Sequence, residues 1–451
     1  MSRKSTRRDF VKQSSAIGAA LFVGGPQVFS QERSANERIR YACIGVSGKG
    51  DSDSSDAANH GDIVAICDID DRKIRARKAD DRFANAETFA DYREMFEKMG
   101  EKIDAVTVST PDHHHYLATA LALSAGKAAY TQKPLTHSVW EARELARLAK
   151  ENDCPTQMGN QGTSNTTLRR SAAILKGGSL GPIQEVHVTT NRPVWPQGND
   201  RPEPTDPPPF LDWDLWIGPA PERPYADDAY HPFKWRGWWD FGTGALGDMA
   251  CHTFNMPFMG VGLKDPDSIQ AWTTGHNMDS YPQKSTIKFN FPETEDRPAI
   301  PVWWYDGGNE PEESLLNGQK FERNNKGETT GTVVVCEGGV LYSPGDYGQG
   351  LKIIDADGND MPIPDVEFEE SPGHFTEFHQ SIVGERERAV SNFENYAGPL
   401  TETILLGNLA VWAAAGGEGK KIEWDAQSVV ATNAPEVMHV VRREYRDGWS
   451  M

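Results

Sequence analysis

The sequence predicts an α/β protein in two parts, with a doubly wound parallel sheet in the N-terminal part and an α+β arrangement in the C-terminal part. Three observations lead to this fold class. Short apolar runs alternate with helical patterns between residues 40 and 151, which is typical of parallel βαβ units. A glycine-rich turn follows the first apolar run. Strand-like runs dominate beyond residue 260.

The composition is that of a folded protein with more than one domain. The chain has 451 residues, of which 37% are hydrophobic and 25% charged. Its formal net charge of −20 repels a polyanion, so nucleic acid is not an expected partner. No apolar stretch reaches the roughly 18 residues of a membrane-spanning helix. The five cysteines form no CxxC pair, which argues against a zinc ribbon or a disulfide scaffold.

The first thirty residues resemble an export signal. The segment 6–12 reads TRRDFVK, and an uncharged stretch follows it at 13–29. Paired arginines followed by a hydrophobic residue and a lysine resemble a twin-arginine signal. We therefore predict that residues 1–30 are a twin-arginine signal peptide cleaved near Ser30, and that the twin-arginine machinery exports the protein to the periplasm. The alternative is a basic, frayed N-terminus.

The first elements after this segment form a dinucleotide-binding, or Rossmann, layout. They are a strand at 40–45, a turn at 45–50 that reads GVSGKG, a helix at 51–60 and a strand at 62–68. Gly45 allows the tight turn, while Gly48 and Gly50 let backbone N–H groups approach a pyrophosphate at the helix N-terminus. Ser47 departs from the GxGxxG pattern, because it stands at the second glycine position. We include Ser47 among the expected cofactor contacts.

Asp68 indicates that the cofactor is NAD. It ends the second strand, 23 residues after Gly45, where a carboxylate accepts hydrogen bonds from a ribose diol. A carboxylate at this position repels a 2′-phosphate, so NADP is disfavoured. Arg72 argues in the opposite direction, because its guanidinium could bind that phosphate and so favour NADP.

The βα alternation then continues to the end of the predicted nucleotide-binding domain, residues 38–160. The further elements are strands at 103–109 and 128–131 and helices at 92–98, 114–125 and 139–151. Ligands of such sheets bind beyond the C-terminal ends of the strands. The loops after these strands are therefore the expected places for chemistry.

Three motifs lie at or beyond these strand ends: STPDHHH at 109–115, QKPL at 132–135 and LGDMACH at 246–252. Together they resemble the glucose-fructose oxidoreductase/inositol dehydrogenase family (Gfo/Idh/MocA). Members of that family carry a Thr-Pro-x-x-x-His loop, a Glu-Lys-Pro triplet and an Asp-x-Gly-x-His helix. The resemblance covers nearly all of the chain after the signal. Two positions differ, since Gln132 replaces the glutamate and Ala250 replaces the glycine of the helix.

The resemblance implies a C-terminal substrate and oligomerisation domain at 161–451, with an open, mostly antiparallel sheet. It also implies a homo-oligomer, either a dimer or a tetramer. The predicted elements are helices at 166–176, 374–383 and 400–415 and strands at 183–190, 269–274, 285–291, 300–305, 332–337 and 340–343. In the first domain it implies that Thr110, Pro111 and His115 lie beside the nicotinamide ribose, with Gln132 as a further cofactor contact.

Lys133, Asp248 and His252 are the candidate catalytic residues. Lys133 lies in a strand-end loop before a proline, where it can donate a hydrogen bond to a substrate oxygen and stabilise a developing alkoxide. Asp248 and His252 are four residues apart and share one face of a helix. A carboxylate beside an imidazole raises its basicity, which suits a general base. The alternatives are a solvated surface lysine and a structural Asp–His pair.

Asp112 and the three histidines at 113–115 could suggest a metal site. Consecutive residues at the start of a helix point in different directions, and no His or Glu follows at a useful spacing. The sequence therefore predicts no metal.

The segment 191–244, called the insertion below, is rich in proline and aromatic residues. Six tryptophans lie in it: Trp195, Trp213, Trp216, Trp235, Trp238 and Trp239. Regular structure cannot continue through so many prolines, so most of these rings are expected to anchor a long loop. We assign Arg236, Trp238 and Trp239 to the substrate site, because they lead directly towards Asp248, and one or two of these rings could stack on a sugar. Asn160 is a further substrate candidate, with Lys133 and His252.

The leading hypothesis is an exported NAD(H)-dependent oxidoreductase acting on a carbohydrate or polyol hydroxyl. His252 takes the hydroxyl proton while hydride leaves the carbon for nicotinamide, Lys133 holds the oxygen and Asp248 supports His252. The first alternative is an NAD-dependent glycoside hydrolase or lyase, in which a trapped cofactor oxidises the sugar transiently and is recycled. The second is a non-catalytic sugar- or nucleotide-binding protein, which the change at Gln132 favours.

Overall fold

The computed structural model describes residues 38–450, and its first β-sheet is parallel. This six-stranded sheet has the order β3-β2-β1-β4-β5-β6. Its strands are β1 (Ile39–Ile44), β2 (Gly61–Cys67), β3 (Glu87–Phe89), β4 (Ala105–Val108), β5 (Ala128–Thr131) and β6 (Thr156–Met158). The order reverses between β1 and β4, which creates the crevice where such sheets bind nucleotides. The predicted signal at 1–30 lies outside the described residues.

Helices connect these strands and cover the sheet. They are α1 (Lys49–His60), α2 (Asp71–Arg77), α3 (Tyr92–Met99), α4 (Asp112–Ser124) and α5 (Val139–Glu151). Polar side chains begin several of them: Asp91 accepts a hydrogen bond from the backbone of Arg93 at the start of α3. Glu141 accepts a hydrogen bond from the backbone of Ser138 at 3.0 Å at the start of α5. These hydrogen bonds explain why α3 and α5 begin where they do.

The second sheet is mixed and mostly antiparallel. Its strands are β7 (Ile183–Thr189), β8 (Ser268–Thr273), β9 (Ser285–Phe291), β10 (Ile300–Tyr305), β11 (Gly331–Cys336), β12 (Gly339–Pro344), β13 (Lys352–Ile354), β14 (Gly417–Glu418), β15 (Ile422–Asp425) and β16 (Val430–Ala431). The order is β13-β12-β11-β7-β10-β9-β8-β15-β16, and β14 pairs with β8. Only the β7–β10 pair among these is parallel. This architecture confirms the predicted fold class.

One face of the second sheet packs against helices. The helices of this part are α6 (Thr166–Lys176), α7 (Trp213–Ile217), α8 (Gly244–Thr253), α9 (Asn255–Pro257), α10 (His374–Val383), α11 (Gly398–Ala413) and α12 (Met438–Val441). Helix α11 is buried along most of its length, which explains its nearly continuous apolar sequence. Within residues 38–450, no helix combines the length and the apolar character that crossing a bilayer requires.

Residue 160 lies between the last strand of the first sheet and the first strand of the second, and later segments return to the first part of the chain more than once. Helix α10 comes late in the sequence and packs against the first sheet, where Phe375 and Phe378 join its core. The insertion has a small core of its own, which includes Leu211, Trp216 and Phe241. Both features place residues distant in sequence around the edge of the first sheet.

Short elements were missed by the sequence analysis. Strands β3 and β6 have three residues each, which is too short for a periodic pattern to be recognised. Helix α2 is a polar segment whose start depends on Asp70, whose carboxylate caps the backbone N–H of Arg72. Tertiary pairing with longer neighbours therefore defines the two strands, whereas the Asp70 cap defines the start of the helix.

Replacing Gly407 of α11 with valine should destabilise the protein. A Cβ at this position would lie 2.5 Å from Leu246 Cδ2 and 2.8 Å from Phe289 Cζ, so the variant overpacks the contact between α11 and the second sheet. Overpacking costs about 1–3 kcal/mol. Gly100→Ala is the control, because a Cβ there would have no neighbour within 4 Å. Thermal unfolding should show a lower Tm for Gly407→Val only, and equal Tm values would contradict this packing.

Candidate active site

The glycine turn after β1 leaves an open cradle at the N-terminus of α1. Gly45 has a φ of 77°, and a Cβ there would lie 2.5 Å from the carbonyl oxygen of Ser109. A Cβ on Gly50 would lie 2.1 Å from the oxygen of Gly45, so only glycine fits. Gly48 has a φ of 59° and no neighbour within 4 Å of a Cβ. The carbonyl of Ser47 accepts the N–H of Gly50 at 3.0 Å, which closes the turn without the usual second glycine.

Asp68 fastens this turn to the loop after β2. Its Oδ2 accepts the N–H of Val46 at 3.1 Å, and its Oδ1 accepts the N–H of Asp70 at 3.0 Å. Burial raises the pKa of Asp68, while these two hydrogen bonds favour the ionised form. The carboxylate therefore lies at the strand end where a nucleotide ribose is expected.

His115 joins the two loops that were predicted to face the nicotinamide. Its Nδ1 lies 2.7 Å from the carbonyl oxygen of Pro134, and its Nε2 lies 2.8 Å from that of Thr110. A neutral imidazole can donate to only one of them at a time. Thr110 and Pro111 immediately precede α4, and the buried Oγ1 of Thr110 has no hydrogen-bond partner within residues 38–450.

The other two histidines of this motif hold the insertion. His113 Nε2 and His114 Nε2 each lie 2.9 Å from the carbonyl oxygen of Trp216. Burial lowers the pKa of His114 to about 4, so its imidazole is neutral at ordinary pH. In the described part of the chain, no group of three His, Cys, Asp or Glu side chains is arranged to hold a metal.

Lys133 contacts Asp248 across the two parts of the chain. The Nζ of Lys133 donates to the carbonyl oxygen of Asp248 at 2.6 Å and to its Oδ1 at 2.9 Å. Arg236 Nε donates to the same Oδ1 at 3.0 Å. Burial alone would raise the pKa of Asp248, but the two cations outweigh it and the pKa is lowered. Asp248 is thus an ionised carboxylate that holds Lys133 in place.

His252 lies one turn further along α8, but no hydrogen bond between it and Asp248 is formed in the described chain. Its imidazole is 4% exposed and meets the Tyr347 ring edge-on, with 4.6 Å between centroids. Burial, with the charge of Lys133, lowers the pKa of His252 well below its ordinary value. The charge of Asp248 raises the pKa of His252, as the sequence analysis expected, but burial and the charge of Lys133 outweigh it.

The two tryptophans assigned to the substrate site are structural. Trp238 donates through Nε1 to the carbonyl oxygen of Ala229 at 3.0 Å, and only 4% of it is exposed. Trp239 is 8% exposed and stacks on Tyr281 with 3.7 Å between ring centroids. Stacking on a sugar would need an open ring face, so the structure does not support this assignment. Arg236, in contrast, reaches the Lys133–Asp248 contact.

Asn160 lies just after β6 and is fully buried. Its Oδ1 accepts the hydroxyl of Ser391 at 2.6 Å. Its Nδ2 has no hydrogen-bond partner within the described residues. This amide can therefore donate to a ligand group that enters the crevice.

A buried carboxylate that the sequence analysis missed lies beside Gln132. Asp53 Oδ2 accepts the Gln132 amide at 2.9 Å and the Ser109 hydroxyl at 2.8 Å. Asp53 Oδ1 lies 2.8 Å from Lys49 Nζ. A negative charge is thus present next to residue 132 although the glutamate of the motif is absent. The spacing of Lys49 and Asp53, four residues apart on α1, was the available signal.

Tyr347 was missed, and Asp112 was considered only as part of a metal site. Tyr347 follows β12 in a glycine-flanked loop and lies against His252. Asp112 accepts the Thr243 hydroxyl at 2.7 Å, and burial raises its pKa to about 7. The glycines around Tyr347 and the acid at the first turn of α4 were visible in the sequence, but only the fold brings them to this crevice.

These features fit a dinucleotide such as NAD. The cradle at Gly48 can take a pyrophosphate, and Asp68 lies at the ribose position. The unpartnered polar atoms of Thr110 and Asn160 can bind its nicotinamide half. Fold and site together define a dinucleotide-binding enzyme with a catalytic lysine candidate at the crevice.

Comparison with known families identifies the chain more closely. Residues 39–160 match the oxidoreductase family with an NAD-binding Rossmann fold, and residues 165–291 match the C-terminal alpha/beta domain of the same family. The two matches cover more than half of the chain. The protein therefore belongs to the Gfo/Idh/MocA oxidoreductase family, which confirms the resemblance seen in its motifs.

Individual relatives are similar over different lengths. Inositol 2-dehydrogenase 2 of Mycolicibacterium vanbaalenii is 32% identical over 96 residues, which is 21% of this chain and 28% of that protein. The WlbA dehydrogenase of Bordetella pertussis, solved with NADH and UDP-GlcNAcA, has a TM-score of 0.58 at 15% identity and covers 86% of this chain and 99% of its own. An inositol dehydrogenase homologue of Azotobacter vinelandii, solved with NADH and myo-inositol, has a TM-score of 0.54 at 16% identity, with 86% and 98% covered.

Gln132→Glu should destabilise the protein, and adding Asp53→Asn should restore most of the loss. The single change places a second carboxylate where the amide now lies 2.9 Å from Asp53, and it removes a hydrogen bond to a charged group. Such a loss costs about 1.5–3 kcal/mol. The double change reverses donor and acceptor and recreates the bond.

Urea unfolding measures these effects. Asp56→Asn is the control, because Asp56 is a half-buried acid on the same helix that does not contact Gln132. A double variant no more stable than Gln132→Glu alone would show that the two side chains do not interact as described.

Proposed function

We propose that the protein is an NAD-dependent dehydrogenase that oxidises a hydroxyl group of a carbohydrate or polyol. The observation that carries the proposal is the Lys133 ammonium, held by Asp248 at the C-terminal edge of the first sheet. The family is one of oxidoreductases, and several structurally similar proteins are dehydrogenases solved with NADH and a sugar or inositol. A donor beside a nucleotide crevice is what alcohol oxidation requires.

Lys133 and His252 have different roles at the substrate hydroxyl: one is a hydrogen-bond donor and the other is the base. Lys133 donates a hydrogen bond to the hydroxyl oxygen, and Asp248 with Arg236 keeps the ammonium oriented. The lowered pKa of His252 keeps its imidazole neutral and free to accept the hydroxyl proton, but it also makes the imidazole a weak base, so the reaction relies on Lys133 to stabilise the developing alkoxide. Bound NAD supplies the hydride acceptor. Loss of the O–H proton and of hydride from the carbon leaves a carbonyl.

NAD is proposed in preference to NADP because of Asp68. Its carboxylate lies at the C-terminal end of β2, where dinucleotide-binding folds hold the adenosine ribose, and a negative charge there disfavours a 2′-phosphate. The relatives named above are dehydrogenases, so the comparisons do not favour the glycoside-cleaving or the non-catalytic alternative.

We also propose a homo-oligomer that uses the open face of the second sheet. Trp272 and Trp303 are half-buried there and stack on each other with 6.0 Å between centroids. Large aromatic rings of this kind are common in subunit interfaces. The mass in solution, compared with the 49.9 kDa chain, tests this assembly.

Lys133→Met should lower turnover at least about 100-fold, because it removes the donor to the developing alkoxide. The assay screens inositols, hexoses and sugar nucleotides for NADH formation, and fluorescence titration verifies that NAD still binds. Lys102→Met, an exposed lysine, is the control. Turnover within a few fold of the parent, on a substrate that the parent oxidises, would refute the role of Lys133.

We propose export by the twin-arginine route from the segment 6–12. Changing both Arg7 and Arg8 to lysine keeps the charge but removes the paired guanidinium groups, so the precursor should remain in the cytoplasm. Arg3→Lys, outside the motif, is the control. Cell fractionation measures the distribution, and periplasmic arrival of the double variant would leave residues 1–30 as a generic leader.

A further inference from the structure

The insertion contacts the first sheet at the loop after β2, where the nucleotide ribose is expected. The N–H of Asp212 donates to the carbonyl oxygen of Ile69 at 3.4 Å, and Leu211 forms an isolated bridge with Asp70. Ile69 packs against the core of the insertion. A segment from the second part of the chain thus borders the ribose end of the crevice.

This part of the insertion is fixed at its base. His113 and His114 lie against the carbonyl oxygen of Trp216, as described above. Arg446, near the C-terminus, donates to the carbonyl oxygens of Gly218 at 3.0 Å and of Asp214 at 2.9 Å. The segment that follows Phe210 is therefore held from two directions.

Arg72 is engaged by the insertion and by its own loop. Its Nε and Nη2 donate to Asp70 Oδ1 and Oδ2 at 3.0 and 2.7 Å. Its Cζ lies 3.2 Å from the ring centroid of Phe210, so the ring covers one face of the guanidinium. The Asp70 carboxylate is fully buried, whereas 47% of the Arg72 side chain is exposed, so the contact with Phe210 is what restricts the guanidinium on its outer side.

An arginine at this position that was not bound to Asp70 could contact the cofactor. A guanidinium near the ribose binds a 2′-phosphate through two parallel hydrogen bonds. Arg72 has committed the two donors of one edge to Asp70, and Phe210 limits its movement. Lys73 is another cation near Asp68, so any test must separate the two.

We infer that Phe210 is a positioning residue for cofactor preference: it holds Arg72 on Asp70, so that the crevice accepts an unphosphorylated ribose and does not offer a clamp for a 2′-phosphate. The inference rests on the proposed use of a nicotinamide dinucleotide. It adds a residue 142 positions after Asp68 to the determinants of that choice.

The test measures the dissociation constants of NAD and NADP by fluorescence titration in the full-length mature chain. Phe210→Ala with Asp70→Asn should release Arg72 and raise the affinity for NADP relative to NAD about tenfold. Asparagine keeps the cap on α2, so this change mainly removes charge. Adding Arg72→Ala should abolish the gain, because Lys73 alone does not provide it.

Phe210→Tyr is the matched control, because it keeps the ring and should leave the ratio of affinities unchanged. Phe210→Leu serves as a second variant if the alanine protein does not fold. The inference is overturned if removal of the ring adds nothing to Asp70→Asn, or if the gain survives Arg72→Ala. A parent protein that binds neither nucleotide overturns the proposed function as well, whereas NAD binding with an unchanged ratio overturns this inference alone.

Discussion

The contact between Lys133 and Asp248 is the constraint on which the site depends. Lys133 belongs to a loop of the first sheet, while Asp248 lies on a helix that packs under the second sheet. Both side chains are largely buried, with 16% and 12% exposed. Removing Asp248 would leave two cations without their carboxylate, whereas removing Lys133 would leave Asp248 paired with Arg236. The two parts of the chain therefore have to pack correctly before a catalytic geometry exists at all.

The insertion belongs to the same arrangement, because it supplies Arg236 to Asp248 and is itself held by the histidines at the start of α4. Three consecutive histidines lie at the start of α4: His113 and His114 share the carbonyl oxygen of Trp216, whereas His115 lies against those of Pro134 and Thr110. His113 and His114 therefore contact the insertion, and His115 contacts the loop that carries Lys133. A run that could suggest a metal site is thus a set of contacts between loops.

The sequence was sufficient for the framework and for part of the site. Strands β1 and β2 were predictable because each is an apolar run that ends at a glycine or an acid. Lys133 was predictable because its motif directly follows a strand and can be recognised without knowing which residues it contacts. The pairing of Asp248 was not predictable, since the i, i+4 rule places His252 on the same face but says nothing of cations from other segments. Asp53 meets Gln132 across 79 residues, and no local pattern reports such a contact. The buried faces of Trp238 and Trp239 likewise depend on tertiary packing.

Comparing residue 132 with the family motif alone gives a misleading view of the charge beside Lys133. Read alone, the loss of a glutamate beside Lys133 suggests that the chemistry has been lost. In the fold, Asp53 brings a buried carboxylate to within 2.9 Å of that side chain, with Ser109 and Lys49 as its other partners. A buried charge is costly unless it is paired and hydrogen-bonded, so this carboxylate must be matched by its neighbours. The negative charge therefore belongs to the network of four side chains, and the change at residue 132 is weak support for a protein that only binds.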